Sequence, residues 1–147
     1  MSTGLAISKS IDIFSTPSRV WDVLIKPEMI SQYFTGAETV TSWEIGSEIT
    51  FTHIYEGKEI KNKGVILNFE PNKLLRYTYW TEFSNTEDRP ENYTTITYEL
   101  TEIDDKIRLH LTQTNVKNAE WYKALEIGWD QVLEKMKELA EGNNYRS

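Results

Sequence analysis

Apolar and polar residues alternate loosely over residues 5–14 (LAISKSIDIF), which predicts a first strand with one buried face. The period then lengthens. In STPSRVWDVLIKP, Val20, Trp21 and Leu24 share one helical face. Thr16 is a good N-cap, Pro17 suits the first helical position, where a missing N–H does no harm, and Pro27 ends or redirects the helix. EMISQYF predicts a second short helix with Met29, Ile30, Tyr33 and Phe34 on its buried side, so the pair would make a small lid or wall.

From residue 37 to 115 the period is that of strands. Thr39–Trp43 is a weak strand, whereas EITFTHIY places Ile49, Phe51, His53 and Tyr55 on one face. Glu56-Gly57-Lys58 turns the chain into EIKNKGVILNFEP, where Gly64 predicts a bulge that shifts the facing beyond it. Past a turn at Pro71-Asn72, LLRYTYWTEF sets Leu75, Tyr77 and Tyr79 together and Trp80 on the alternate face, either partly exposed or packed beneath the short helices. Residues 84–92 are polar and rich in turn formers, as an exposed loop would be. TTITYELTE aligns Ile96, Tyr98 and Leu100; KIRLHLTQT aligns Ile107, Leu109 and Leu111.

The last segment is helical from about Asn118 to Glu141, with Trp121, Leu125, Gly128, Trp129, Val132, Met136 and Leu139 on one face. The class is α+β: an antiparallel sheet whose buried face is covered by this helix. Gly128 stands in the helix interior, where glycine costs about 1 kcal/mol relative to alanine. The expected compensation is close approach of helix backbone to the sheet, with Trp129 walling the space beside it. The plain alternative is a tolerated weak position.

The length of 147 residues suits one domain with a sizeable core. Five Trp, eight Tyr and five Phe need either a large interior or a lined cavity. A net charge of −7 and the lack of any run of Lys and Arg disfavour nucleic acid and anionic membrane surfaces as partners. No stretch approaches the ~20 apolar residues that span a bilayer, and the N-terminus lacks signal-peptide character, so a cytoplasmic address is expected. With no cysteine, disulfides, thiolate metal sites and cysteine nucleophiles are excluded.

The β-α-α-β6-α order, Val20-Trp21 on the first helix, Pro27-Glu28 after it and Tyr33-Phe34 closing the second resemble the START-like, or Bet v 1-like (SRPBCC), helix-grip superfamily. GVILNFEPNKLLRYTYW and the Gly128-Trp129 pair resemble, more narrowly, the branch of the activator of Hsp90 ATPase homologue C-terminal domain. The resemblance implies a curved antiparallel sheet wrapped around a long C-terminal helix, with a deep cavity between them for hydrophobic or amphipathic molecules. It implies a wide range of functions too: ligand binding, polyketide cyclisation and co-chaperone activity. The length leaves no room for the separate N-terminal domain of a full Hsp90 activator, so strong ATPase activation is not expected.

Candidate chemistry is sparse. His53 and His110 fall on opposite faces of the sheet by parity, and HExxH, G-x-S-x-G, GxGxxG and GxxxxGK[ST] are all missing, so no metal, cofactor or catalytic set is expected. The candidate ligand-binding residues are His53, Tyr55, Tyr77, Tyr79, Tyr98 and Trp129, whose rings offer apolar walls with polar tips. Each has a plain alternative: a histidine satisfied by a tyrosine or a backbone carbonyl, tyrosines paired in the core, a core tryptophan. The leading expectation is a non-enzymatic protein, monomer or homodimer, binding a small hydrophobic or amphipathic molecule. A co-chaperone or protein-interaction module, Hsp90-interacting or stress-related, is the second, and a polyketide-cyclase-like enzyme using His53 and a tyrosine is the third.

Overall fold

A computed structural model describes residues 3–142. β1 (Ala6–Ile13) leads into α1 (Pro17–Ile25) and α2 (Pro27–Tyr33). Strands β2 (Glu38–Val40), β3 (Glu48–Tyr55), β4 (Lys58–Glu70), β5 (Leu74–Thr81), β6 (Thr94–Ile103) and β7 (Lys106–Thr114) follow, then α3 (Ala119–Gly142). All pairings are antiparallel, in the order β1-β7-β6-β5-β4-β3-β2, so β2 to β7 form a meander and β1 closes onto the edge of β7.

Local chemistry accounts for most boundaries. The Thr16 hydroxyl accepts from the Arg19 N–H with Pro17 at the first turn, and Lys26, extended because Pro27 follows, separates α1 from α2. Glu56 and Gly57 both take positive φ, as a two-residue hairpin between β3 and β4 requires. The weak strand expected over Thr39–Trp43 ends at Val40, and Trp43 itself turns away at φ 63°. The bulge expected at Gly64 lies instead at Leu67, the extra residue between the pairs Ile66–Tyr77 and Asn68–Arg76. At Gly64 the strands touch: an added Cβ would overlap the Thr78 carbonyl oxygen.

The inner face of the sheet carries Ile49, Phe51, Ile66, Leu75, Leu109 and Leu111, all buried. Against it α3 buries Trp129, Leu133, Met136 and Ala140, a stripe that begins near the middle of the helix and runs through its second half. That half is firmly held. The Ala140 carbonyl accepts from Ser15 Oγ (3.1 Å) and Arg19 Nε (3.2 Å), and Lys137 Nζ donates to the Asp12 carbonyl (2.9 Å). Lys9 meets Asp130 at 2.7 Å. The first half has only partial cover from Trp121, Tyr122 and Leu125. Among the described residues, no helix is long and apolar enough to cross a membrane.

Candidate functional site

Under the first half of α3 the helix and the sheet leave a hollow between them. The outer part of this hollow has a volume of about 360 Å³ and is bordered by Tyr79, Thr94 and Gln113 from the sheet and by Trp121 and Leu125 from α3. A smaller, apolar chamber of about 170 Å³ adjoins it, lined by Phe34, Ile96, Gly128, Trp129 and Val132. Tyr79, Gln113 and Leu125 border both.

The backbone approach expected at Gly128 does not occur. An added Cβ would meet nothing within 4 Å, and Gly128 lines the apolar chamber. Glycine here keeps a space open, and the tightly packed part of α3 lies further along.

Gln113, 3 % exposed, ties the walls together. Its Oε1 accepts from the Trp129 indole N–H (2.8 Å), and its Nε2 donates to Thr94 Oγ1 (2.9 Å), whose own hydroxyl donates to the Tyr79 carbonyl (3.2 Å). A buried amide with both ends bonded fixes the indole ring at little cost. Gln113 extends the apolar alternation of Ile107, Leu109 and Leu111 by one step, and a polar residue in that register was the signal that could have found it.

Four of the six candidate residues come together. Tyr79 and Trp129 border the hollow. Tyr77 and Tyr98 lie behind them, fully buried, with hydroxyls 3.4 Å apart, and Tyr98 packs edge-on against Trp129. Burial pushes the Tyr77 and Tyr98 phenols well above their ordinary value and Tyr79 up to about 12, where the Thr81 hydroxyl opposes the rise. All three stay protonated at neutral pH, as hydrogen-bond donors and not bases.

His53 and Tyr55 share the inner parity but lie elsewhere. They sit toward the β3–β4 hairpin beside Phe83, at ring distances of 6.1 and 5.4 Å, and border neither chamber. Tyr55 is 51 % exposed, so it is not an inward wall. His53 Nδ1 is buried with neither a tyrosine nor a carbonyl to pair with. His110, on the outer face, lies 3.1 Å from Ser8 Oγ and 2.7 Å from Ser10 Oγ. Trp80 also takes the outer face, where it stacks on Tyr93 and donates to Thr86 Oγ1 (3.1 Å), so residues 84–93 cover it and the short helices do not.

Those residues also form the rim of the outer chamber. Lys117 Nζ donates to the Ser84 carbonyl (2.6 Å), and Asn115 Nδ2 donates to the carbonyls of Glu91 (3.1 Å) and Tyr93 (2.9 Å). Among the described residues, no group of three His, Asp or Glu side chains is placed to hold a metal.

An antiparallel meander gripping a long C-terminal helix, with two short helices after the first strand, defines the START-like helix-grip class. Within it, residues 15–141 match the family described as Activator of Hsp90 ATPase homolog 1-like protein, and the chain belongs to that family. Among solved structures it is similar to ChR145 from Cytophaga hutchinsonii, 31% identical over 97% of this chain and 98% of that one, with a TM-score of 0.84. The Aha1 dimer from Colwellia psychrerythraea is 16% identical, with coverage of 95% and 98% and a TM-score of 0.75. CalU16 from Micromonospora echinospora is 18% identical, with coverage of 96% and 79% and a TM-score of 0.70. The last two share the fold alone. No curated protein matches the sequence.

Proposed function

We propose that this protein binds a small amphipathic molecule in the hollow between the sheet and the first half of α3. The observation that carries the reading is the open volume of about 360 Å³ bordered by Tyr79, Trp121 and Leu125, which continues into a chamber lined by apolar side chains and Gly128. Its size falls at the low end of small-molecule pockets, roughly 300–1,000 Å³. Catalysis draws less support. The tyrosine phenols are held protonated, and His53 borders neither chamber and has no partner on Nδ1 to orient it. A general base needs reach to the substrate before its pKa matters.

The test is an NMR titration of the whole chain with a library of lipid-like and aromatic amphiphiles. Shifts should concentrate on the Trp121, Leu125 and Gly128 amides and the Trp129 indole N–H. A library that leaves all of them unmoved overturns the reading. Family membership and likeness to a structure described as an Aha1 dimer support a second reading, an Hsp90-directed co-chaperone. Titration against Hsp90 with no detectable association would remove it.

A further inference from the structure

The hollow is unequal along its length. The smaller chamber presents Phe34, Ile96, Val132 and Trp129, whose one polar atom, the indole N–H, is already bonded to Gln113. The outer rim presents Ser84, Thr86, Asn92, Asn115, Glu91 and Lys117. One cation and one anion stand on that rim in a chain of net charge −7, so a charged head gains nothing over a neutral one. From this asymmetry, and resting on the binding reading above, we propose that the occupant is a single-tailed amphiphile with an uncharged head. Its tail tip enters the apolar chamber, its head stays at the polar rim, and Gly128 sets how long a tail is accepted.

The volumes agree with this orientation. A volume of about 150 Å³ takes a benzene-sized group, so the apolar chamber of about 170 Å³ has room for a comparable alkyl end. Gly128 lines that chamber, and a side chain added there would project into open space, meeting nothing within 4 Å of its Cβ. A leucine at this position projects into the space a tail would fill. An alanine adds one methyl group and folds at least as well as glycine in a helix interior.

The experiment measures the affinities of straight-chain 1-alkanols and alkanoic acids of increasing length at pH 8 for the wild type, Gly128→Ala and Gly128→Leu, with thermal melts of each variant. For the wild type, affinity should rise about fourfold per added methylene until the apolar chamber is full. Gly128→Leu should reach its plateau several carbons earlier, with the shortest alkanols unaffected, and Gly128→Ala should lie between. Alkanols should bind better than acids of equal length. An unchanged cut-off in both variants, or a loss uniform across all lengths, overturns the role of Gly128 while leaving the binding reading in place. Tighter binding of the acids overturns the uncharged head. If no alkanol of any length binds the wild type, the tail-first orientation falls, and an NMR titration with unrelated amphiphiles then decides whether the binding reading falls with it.

Discussion

Gly64 and Gly128 both interrupt the middle of a regular element, and they do so for opposite reasons. At Gly64 strand β4 presses on β5, and a Cβ would overlap the Thr78 carbonyl oxygen. At Gly128 nothing stands within 4 Å of the same hypothetical atom, because α3 spans a hollow there. One glycine exists for contact and the other for space. The local cost of glycine in a strand or a helix is similar in kind, so only the neighbour across the gap tells the two uses apart.

The contrast is broken most directly at Gly64. Gly64→Ala should lose roughly 3 kcal/mol or more, since backbone cannot yield as a flexible side chain can. Urea unfolding measures it, and a wild-type midpoint would show that β5 moves aside and the two glycines are alike. Gln113→Leu comes next. It leaves the Trp129 indole N–H without its acceptor, for a loss of about 2 kcal/mol and a displaced indole resonance. An unmoved resonance would mean that Gln113 does not position the wall of the hollow. Gly128→Ala should change stability in the opposite sense to Gly64→Ala, a gain of about 1 kcal/mol in the same assay. A loss would mean that the space is not free.

The smallest effect is expected far from both glycines, at Asp12 on β1. Arg108 (2.8 Å) and Lys106 (3.0 Å) hold its carboxyl well below the usual carboxylate range. A lowered value in the folded state adds stability above the unfolded value, about 3.9, and that stability fades as pH falls below it. Asp12→Asn should therefore be slightly less stable than wild type at neutral pH, with the two curves converging on acidification. Curves that stay parallel down to the acid limb would show that the ion pairs carry nothing.

Much of this architecture was readable from residue order. The Thr16-Pro17 start of α1, the Glu56-Gly57 hairpin and the long amphipathic C-terminal helix carry signals within a few residues of each other, and each element lies where its local chemistry puts it. Alternation also placed Tyr77, Tyr79 and Tyr98 on the inner face correctly. What it could not give was position along the strand relative to the covering helix. His53 and Tyr55 have the right parity, yet they lie near the hairpin, away from the chambers under α3. Gly64 and Gly128 raised the same difficulty, since a close approach and an open space are both set by a partner distant in the chain. Alternation alone does not single out Gln113, because a polar residue in an apolar register reads as the end of a pattern, whereas here it bridges the sheet to the indole of Trp129.

α3 behaves as a beam fastened along one half. Asp130, Lys137 and Ala140 bolt it to β1 and α1, while Trp121, Leu125 and Gly128 border the hollow. Overall melting should then be governed by the bolted half, and the residence time of any guest by how often the other half lifts. Evolution, or an engineer, could slow or quicken release through Trp121 and Leu125 without moving the temperature at which the whole molecule comes apart.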